Sequence, residues 1–550
     1  MSINFVSGSA IRNYLLNDPL VDWLEYMYKR GKCDYTPTPT PFQEELFKEG
    51  QEFEAKIVSY LKEKYPDDIK TVATTPEDLY DIEKFETTRR LITEGVPIIY
   101  QGVVKNIEKG IGGICDLIVR SDFLNKISKD HDGTYSVEDI YYVVIDIKLS
   151  RLALKTDGTH LKNSRNYGYY KGQLYIYNEA LKTMQTHSSN SAYILGRGWE
   201  YKKGGEKFSG HNCFERLGKV DFSDEDSFVC ERVENAIAWL RKLRREGETW
   251  CLFPPSVEEL RPNMAVDSGR WQKAKSEIAQ QQNDVTMLLS CGHSKRKMAD
   301  KLGISSWKNC NSNALEIKSE KRKKSVNRSI RLNKKRKFEI VPKRISKSLL
   351  KKTTLELYLD YETFYKKDEM IDIEASQSRT VVFLIGCGFV VNDVWSYKSF
   401  VLERCDIDEE RKLFSDFLDE IRHDFLNENV DFKIYSWGTT EKIIYEKLTG
   451  DLNLFSEKNY VDLLKLFRDK SISMKGCFSY SLKEIARALY KQGLIKTIWD
   501  EHSSIKNGYE AMKEGEKLFS GDKSKLLELI NYNEIDCKIM WEIMTFLRKP

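Results

Sequence analysis

The sequence predicts an α/β protein with two mixed-sheet domains, which are joined by a small helical segment and a basic linker. Three observations predict this organisation. Acidic side chains lie on apolar, strand-like runs in two distant parts of the 550-residue chain, amphipathic helical patterns accompany each part, and a stretch rich in lysine and arginine separates them. We therefore expect domains over residues 1–255 and 353–550, a helical connector over 256–316 and a flexible basic linker over 317–352.

The first acidic group lies on two apolar runs, GGICDLIV and YYVVIDIKLS, which contain Asp116, Asp146 and Lys148. Residues 141–147 are aromatic and β-branched, as in a buried strand. Because side chains alternate along a strand, Asp146 and Lys148 share one face. A charged pair on an apolar strand is costly to bury unless its charges are offset. A purely structural ion pair would meet this requirement, and so would a Mg²⁺ ion with a water nucleophile.

Two amphipathic helical patterns flank these strands. Upstream, QEELFKEGQEFEAKIVSYLKEKY places Glu54 beside an apolar face. Downstream, KGQLYIYNEALKTM places Gln173 and Tyr177 on one helical face. An amide and a phenol in these positions can bind phosphate or orient Lys148. The flanking helices therefore favour a metal site over a purely structural ion pair.

The polar residues on these elements resemble, in their order along the chain, the PD-(D/E)xK nuclease core in its RecB-like form. They are Glu54, Asp116, Asp146-x-Lys148 and Gln173-x₃-Tyr177. The resemblance covers residues 1–255 and departs from the motif at Cys115, where the family name calls for proline. It implies a restriction-endonuclease-like core in which the three carboxylates bind metal and the lysine, glutamine and tyrosine are catalytic. Some RecB-like nucleases carry an iron-sulfur cluster, but the eleven cysteines here include no C-x₂-C pair, so we expect no iron-sulfur cluster and no zinc.

The second acidic group begins in the strand-like run LELYLDYETFYKK, where Asp360 and Glu362 share one face. Two such acids repel each other unless a cation bridges them. VVFLIGCGFVV and VWSYKSFVL follow, as antiparallel strands would. DFKIYSWGTTEKIIYEKL then predicts a strand, a polar turn and a helix with Glu441 in its first turn, where the helix dipole also favours an acid. A last helical pattern places Tyr532 and Asp536 on one face.

These residues resemble the RNase H-like exonucleases of the DEDD type, in the subgroup whose last motif is Y-x₃-D. The resemblance covers residues 353–550 and implies two metal ions held by four carboxylates, with the tyrosine orienting the attacking water. Three of the ligands and the tyrosine correspond to Asp360, Glu362, Asp536 and Tyr532. The fourth ligand, usually aspartate, is open between Glu441, which we favour, and Asp462 in YVDLLKLF.

A RecB-like core followed by an RNase H-like domain resembles a group of predicted RecB-family nucleases. The resemblance implies in-line hydrolysis of phosphodiester bonds at both sites, in DNA repair, recombination or nucleic-acid processing, with DNA favoured over RNA. The RNase H-like part would trim 3' ends, and the RecB-like part would cut internally or degrade single strands. Hard oxygen ligands favour Mg²⁺, and Mn²⁺ is expected to substitute. Two alternatives remain open: only one part is catalytic while the other binds nucleic acid, or the protein is a nucleic-acid-binding scaffold without turnover.

The basic stretch over residues 318–352 holds sixteen Lys or Arg and two Glu, a net charge of +14 in a chain whose total is +4, so the rest sums to −10. Such a stretch can hold a phosphate backbone by counterion release, form a solvated tether or act as a nuclear localisation signal. The connector before it contains a pattern that resembles a helix-hairpin-helix element, with a plain spacer as the alternative. The candidate nucleic-acid-binding residues are Lys321, Arg322, Lys323, Lys324, Lys334, Lys335, Arg336 and Lys337.

Composition limits the remaining possibilities. With 41% hydrophobic residues, the chain can form two or three separate cores. The longest apolar run, VVFLIGCGFVV, is far shorter than the roughly 20 residues of a membrane span, so no membrane partner is expected. The start of the sequence has no export signal and the cysteines are scattered, which favours an intracellular protein, cytoplasmic or nuclear. No Walker motif is present, so a helicase motor would be a separate partner.

Overall fold

The computed structural model describes residues 5–129, 140–164, 167–342, 351–366, 379–391, 393–425, 431–500 and 502–549. These residues divide into two compact units, the first ending at Gln282 and the second beginning at Asn283. Each unit contains a mixed sheet with helices, so the predicted α/β class is confirmed. Among the described residues, no helix combines the length and the apolar character that crossing a bilayer requires.

The first unit is built on a mixed sheet of eight strands, taken over the described residues. Its strands are β1 (Val6–Ser7), β2 (Ile69–Thr71), β3 (Ile98–Asn106), β4 (Ile111–Arg120), β5 (Tyr142–Ala153), β6 (Ser191–Lys203), β7 (Glu206–Gly210) and β8 (Gly218–Asp221). The order is β2-β3-β4-β5-β6-β7, with β1 paired to β4 and β8 paired to β6. β3, β4 and β5 are antiparallel, whereas β5 and β6 are parallel.

The first unit also contains α-helices, and some of them pack against this sheet. The helices are α1 (Arg12–Leu15), α2 (Leu20–Lys29), α3 (Pro41–Lys64), α4 (Ile82–Thr93), α5 (Leu124–Ile127), α6 (Tyr167–Leu181), α7 (Phe228–Glu246) and α8 (Gln272–Gln282). Alternate residues of β5 enter two separate hydrophobic clusters: Val144 joins the cluster that contains α6 residues, and Val143 and Ile145 join the cluster that contains α3 residues. The central strands are therefore covered on both faces, which explains their continuous apolar runs.

The second unit contains a five-stranded sheet and a separate two-stranded ladder. The strands are β9 (Ile340–Val341), β10 (Leu355–Lys366), β11 (Arg379–Val391), β12 (Val394–Val401), β13 (Phe432–Ser436), β14 (Tyr460–Asp462) and β15 (Ser473–Met474). The sheet order is β12-β11-β10-β13-β14, and β9 pairs with β15. β10, β11 and β12 are antiparallel, as the sequence predicts, and β13 and β14 add to β10 in parallel.

The helices of the second unit are α9 (His293–Asp300), α10 (Glu320–Lys334), α11 (Ile407–Phe425), α12 (Thr440–Thr449), α13 (Leu463–Lys470), α14 (Leu482–Tyr490), α15 (Gly508–Phe519) and α16 (Leu526–Arg548). The predicted strand, turn and helix around Glu441 correspond to β13 and α12, and the predicted last helix corresponds to α16. α15 and α16 contact β10, so the last helix lies against the central strand of the sheet.

The predicted connector over residues 256–316 is divided between the two units, because α8 belongs to the first and α9 to the second. From residue 283 to 309, where the sequence suggests a pair of helices, the described structure has one α-helix, α9, between the 3₁₀ turns Val285–Met287 and Trp307–Asn309. Gly303 follows α9 with a φ of +71°, a left-handed conformation that ends a helix readily. The segment after it forms a single turn instead of a second helix.

The predicted flexible linker over residues 317–352 contains the helix α10. Val326 and Ile330, four positions apart, are buried in a small cluster of their own together with Trp307. Ser319 caps the helix by accepting a hydrogen bond from a backbone amide of the first turn. A few apolar residues at helical spacing are therefore enough to fold this stretch, although its average composition is that of a tether. Residues 343–350 of the predicted linker lie outside the described residues.

Candidate functional site

In the first unit, Asp146 and Lys148 lie on β5 and their side chains meet on one face, as the alternation of the strand predicts. Lys148 Nζ lies 2.7 Å from Asp146 Oδ2. Asp146 is fully buried, and its Oδ1 has no hydrogen-bond partner among the described residues. A buried carboxylate oxygen without a partner is costly, so this atom offers an open position for a cation or a water molecule.

Asp116 lies on β4, beside this pair. It accepts a hydrogen bond from the backbone amide of Ile147 at 2.7 Å. Burial raises the pKa of Asp116 well above its ordinary value, the negative charge of Asp146 raises it further, and Lys148 acts in the opposite direction. The two carboxylates are therefore close enough to repel each other across neighbouring strands.

Glu54 of α3 approaches the same site less closely. Its Oε1 accepts hydrogen bonds from Gln101 Nε2 at 2.5 Å and from the Tyr100 hydroxyl at 3.1 Å. The charge of Glu54 contributes to the raised pKa of Asp116. Among the described residues, however, Glu54, Asp116 and Asp146 do not form a group in which oxygens of all three lie within 4.8 Å of one another. The structure thus brings the three predicted ligands to one region, with Glu54 held by two other partners.

Gln173 and Tyr177 of α6 form a hydrogen-bonded pair, in which Gln173 Nε2 donates to the Tyr177 hydroxyl at 2.9 Å. Tyr177 is buried, and its pKa is raised by burial and then by the charge of Asp146. A Cβ atom at Gly113 of β4 would overlap the Tyr177 ring, so the glycine allows α6 to approach the sheet. The phenol and the amide therefore stand on the side of the sheet that carries Asp146.

Tyr170 is a residue of this site that the sequence motif did not reveal. Lys148 Nζ lies over the Tyr170 ring, 5.4 Å from its centroid. Burial would lower the pKa of Lys148, but the charges of Asp146 and Asp116 raise it well above its ordinary value. Lys148 is therefore a firmly protonated ammonium held between a carboxylate and an aromatic face. Tyr170 precedes Gln173 by three positions on α6, and that helical spacing is the signal that could have identified it.

In the second unit, three carboxylates converge. Oxygens of Asp360 and Glu362 on β10 and of Asp536 on α16 all lie within 4.8 Å of one another. Burial, followed by the charge of Asp536, raises the pKa of Glu362 to about 8. Burial raises the pKa of Asp536 to about 7, although Lys483 acts against this shift. Burial and the charge of Asp536 also raise the pKa of Asp360 well above its ordinary value.

These raised pKa values reflect the burial of the carboxylates and their mutual repulsion, which Lys483 offsets only in part. Three hard oxygen ligands that repel one another are a suitable set for a divalent cation, which would bind the carboxylates and keep several waters. Among the described residues, Asp157, His160 and Glu225 also have ligand atoms within 4.8 Å. In the group of Asp157, His160 and Glu225 both acids are exposed. His160 Nδ1 lies 2.7 Å from Asp157 Oδ2, and Lys155 already pairs with Glu225. The more deeply buried group on β10 and α16, whose three members are all carboxylates, fits a metal better.

Asn533 of α16 is a second residue that the motif did not reveal. Its Nδ2 donates to Asp360 Oδ2 at 2.9 Å and to Glu362 Oε1 at 3.4 Å, and its Oδ1 accepts from the Tyr397 hydroxyl at 2.9 Å. The side chain is fully buried. Asn533 therefore fixes the two acids of β10 relative to α16. Its position three residues before Asp536 placed it on the same helical face, which was the available signal.

Tyr532 and Lys483 complete the surroundings of Asp536. Burial, followed by the charge of Asp536 and a hydrogen bond to it, raises the pKa of the Tyr532 hydroxyl well above its ordinary value. Lys483 Nζ of α14 lies 5.3 Å from the centre of the Tyr532 ring and donates to the backbone oxygen of Lys506 at 2.6 Å. No sequence motif indicates Lys483, because α14 is distant in sequence from both acidic motifs.

Glu441 and Asp462, the two candidates for a fourth ligand, differ in how their oxygens are engaged. Glu441 is buried in the first turn of α12, its Oε2 has no hydrogen-bond partner among the described residues, and its charge contributes to the raised pKa of Asp360. Asp462 caps α13 by accepting a hydrogen bond from the Lys465 amide at 2.9 Å. Glu441 therefore keeps an open oxygen near the site, whereas Asp462 holds the start of a helix.

Comparison with known families adds one finding. Residues 370–548 match the model RNase_H_2, described as the RNase_H superfamily. The matched range includes Glu441, Tyr532 and Asp536, and it begins after Asp360 and Glu362. The match supports an RNase H-like domain in the second unit, and with it a metal-dependent hydrolysis of nucleic acid. No curated protein and no solved structure matches the chain.

Proposed function

We propose that the protein is a metal-dependent nuclease with two hydrolytic sites. The second unit hydrolyses phosphodiester bonds at Asp360, Glu362 and Asp536, and the first unit carries a RecB-like site around Asp146 and Lys148. The observation that carries the proposal is the convergence of three carboxylates in the second unit, of which Glu362 and Asp536 are buried and Asp360 is partly buried. The match of that part of the chain to the RNase_H superfamily supports the same chemistry.

At the second site, each side chain has a distinct task. Asp360, Glu362 and Asp536 would hold Mg²⁺, and a bound metal ion of this kind supplies positive charge at the phosphate and makes a bound water acidic. Tyr532, whose pKa is raised by burial and by the charge of the nearby Asp536, positions the attacking water. Asn533 keeps Asp360 and Glu362 in one arrangement.

Glu441 supplies the fourth carboxylate in this proposal. Its Oε2, which has no hydrogen-bond partner among the described residues, and its electrostatic effect on Asp360 support that role, while Glu441 lies outside the group of three whose oxygens are all within 4.8 Å of one another. Asp462 is assigned a structural role as the cap of α13. The site then follows the tyrosine-bearing DEDD pattern, with glutamate in the position that is usually aspartate.

At the first site, Lys148 is the principal cation. Its ammonium lies 2.7 Å from Asp146 Oδ2 and can donate to a water or to a phosphate oxygen while it remains protonated. Asp146, Asp116 and Glu54 would hold Mg²⁺ there. The Gln173 and Tyr177 pair then binds the phosphate next to the cleaved bond.

The substrate in this proposal is DNA, with RNA as the competitor. The second unit trims 3' ends, and the first unit cuts internally or degrades single strands, using Mg²⁺ or Mn²⁺. The process served is DNA repair, recombination or related nucleic-acid processing inside the cell, with any helicase supplied by a separate partner.

A second candidate function is favoured by the geometry of the first unit. There, Lys148 already neutralises Asp146, Glu54 is engaged by Gln101 and Tyr100, and oxygens of the three acids do not all lie within 4.8 Å. In this candidate, the first unit binds nucleic acid and only the second unit is catalytic.

The test compares the wild type with Asp146→Asn, Asp360→Asn and the double variant. Each is incubated with end-labelled single-stranded DNA, double-stranded DNA and RNA in Mg²⁺ or Mn²⁺, and Asp157→Asn, from the exposed acidic group, is the matched control. Two hydrolytic sites predict that each single variant loses a different set of products and that the double variant is inactive. Loss of all products in Asp360→Asn, with none lost in Asp146→Asn, would select the second candidate. Cleavage by the double variant at the wild-type rate would refute both.

A further inference from the structure

We propose that the outward face of α10 is a fixed track for the phosphate backbone of the nucleic acid that the second unit cleaves. The inference rests on the proposed function and adds to it a defined binding surface. The track consists of Lys324, Arg331 and Lys334, and its occupant is a nucleic-acid strand.

The helix has one face anchored to the second unit. Ser329 Oγ donates to the backbone oxygen of Cys477 at 3.3 Å, and the Tyr480 hydroxyl donates to Ser325 Oγ at 3.2 Å. Asn333 Nδ2 also donates to the Cys477 oxygen, at 3.2 Å. Together with the buried Val326 and Ile330, these bonds hold the helix in a set orientation. Its cations are therefore presented on a rigid element.

The opposite face presents cations at regular spacing. Lys324, Arg331 and Lys334 are related by seven and three positions, so they lie on one side of the helix. All three are exposed, and none forms an ion pair within the part of the chain that the structure describes. With a rise of about 1.5 Å per residue, the three span about 15 Å. At about 3.4 Å per phosphate along one strand, this length corresponds to roughly four nucleotides.

Three other lysines of this stretch are already paired with acids, which distinguishes them from the three cations of the track. Lys321 pairs with Asp469, Lys323 with Glu320 and Lys335 with Glu339. Of the eight basic residues that the sequence singles out here, these three are therefore weaker candidates for binding phosphate. Arg331 was not among the eight, because it lies outside the two dense basic blocks.

A polar cleft of about 870 Å³ runs beside the helix. Its lining includes Lys321, Lys323, Lys324, Lys470 and Asp469. Lys470 is exposed and forms no ion pair among the described residues, so it extends the positive charge across the cleft. The exposed residues of the outward face include no apolar side chain that a protein partner would need as an anchor. The charge and the absence of such an anchor on this described helix favour a polyanion with regular spacing.

The anchored face also connects the track to the second site. Cys477 and Tyr480, which contact α10, belong to the segment that leads directly into α14. The second residue of α14 is Lys483, whose ammonium lies over the Tyr532 ring. A strand held on α10 is therefore fixed relative to the groups that surround Asp536. Because the cations are already positioned, binding does not cost the ordering of a flexible arm.

The test uses the full chain with Lys324→Gln, Arg331→Gln and Lys334→Gln combined. Its matched control replaces three exposed lysines on other parts of the second unit, Lys447, Lys458 and Lys523, by glutamine. Binding of a fluorescent 20-nucleotide DNA strand is measured by anisotropy over a range of salt concentrations in the inactive Asp360→Asn background. For three lost phosphate contacts, the slope of log K against log salt is expected to fall by about two for single strands. The control should keep the wild-type slope.

Hydrolysis separates the failure of this inference from the failure of the proposed function. In the active background, the triple variant should lose most of the preference for a 20-nucleotide strand over a dinucleotide, by about tenfold or more. An unchanged slope and an unchanged preference in a protein that still cleaves DNA would overturn the track alone. A wild type that cleaves nothing would overturn the proposed function. If poly-glutamate of similar length displaces DNA from the wild type as effectively as unlabelled DNA does, the face is a general anion surface and the proposal is also overturned.

Discussion

Asp360 and Gly386 are paired directly across β10 and β11. The missing side chain of Gly386 leaves the space in which the Asn533 amide lies, and this amide donates to Asp360 Oδ2. A ligand candidate, a glycine on the neighbouring strand and an asparagine on the last helix thus depend on one another. The acidic group is therefore shaped by close packing of α16 on the sheet as well as by its own three carboxylates.

Replacing Gly386 by alanine should disturb this packing. The new Cβ would overlap Asn533 Oδ1, so the Asn533 amide must move and give up its hydrogen bonds to Asp360 and Glu362. We expect a loss of roughly 1–3 kcal/mol in the free energy of unfolding, the usual range for overpacking, and a marked loss of hydrolysis. Urea unfolding and cleavage of labelled DNA measure the two effects. Gly508→Ala, where the added Cβ meets nothing within 4 Å, is the control and should be neutral.

Replacing Asn533 by alanine should weaken metal binding. The substitution removes the amide that holds Asp360 and Glu362 together, and loss of such supporting partners typically lowers metal affinity roughly 10- to 100-fold. Calorimetric titration with Mn²⁺ gives the affinity directly. Tyr397→Phe removes only the hydroxyl that orients Asn533 and should have a smaller effect in the same direction. An Asn533→Ala protein with the wild-type Mn²⁺ affinity would contradict this role.

Replacing Tyr532 by phenylalanine should slow turnover without unfolding the protein. Only the hydroxyl, whose pKa is raised by burial and by the charge of Asp536, is lost, and the ring remains packed. Since a reacting group misplaced by about 1 Å can slow a reaction roughly 10²-fold, loss of the hydroxyl that positions the water should lower kcat by about that factor while KM changes little. The melting temperature should remain at the wild-type value. A variant with full kcat would remove Tyr532 from the mechanism.

The stability of the metal-free protein should decrease as pH rises. The pKa values of Glu362, about 8, and Asp536, about 7, are raised in the folded state, so the folded protein keeps protons that the unfolded chain has released. The free energy of unfolding is therefore highest, as far as these two groups decide it, below about pH 4, where both states are protonated. It falls as the pH rises towards 8. Unfolding free energies in EDTA at several pH values provide the measurement. In Asp536→Asn the free energy of unfolding should decline less with pH. Mg²⁺ should restore the stability of the wild type at pH 8. A steeper decline in the variant than in the wild type would contradict the raised pKa values.

Replacing Arg548 by alanine should destabilise the second unit. Arg548 Nη1 donates to Glu356 Oε2 at 2.8 Å, and both side chains are almost completely buried. Removing one partner of such a pair typically costs about 3–5 kcal/mol, because the remaining charge is left buried and unpaired. Arg404→Ala, which breaks an exposed pair with Glu409, is the control and should cost no more than about 1 kcal/mol. Equal effects of the two substitutions in urea unfolding would show that the Glu356 pair carries no such stabilisation.

The local elements of both units could be predicted from sequence because their signals are local. The alternation along β10 gave the shared face of Asp360 and Glu362, and helical spacing gave that of Tyr532 and Asp536. The partners that complete the sites were not predicted, because their contacts come from packing between distant segments. Lys483 reaches Tyr532 from α14 without a motif of its own.

The helix α10 was not predicted for a different reason. Composition averages over the whole basic stretch and therefore indicates a solvated tether. The structure depends instead on two apolar residues, Val326 and Ile330, whose spacing gives a narrow buried stripe. A few well-placed methyl groups can outweigh many charges when those charges all face the solvent.

The division of the acidic group between β10 and α16 affects when the protein can become active during its synthesis. A ribosome that has translated β10 has made Asp360 and Glu362, but Asp536 belongs to a helix that is translated much later. A nascent chain without that helix has two carboxylates and no Asn533 to fix them. The acidic group is therefore complete only after translation has passed residue 536, so any chemistry that depends on all three carboxylates must wait for the last helix.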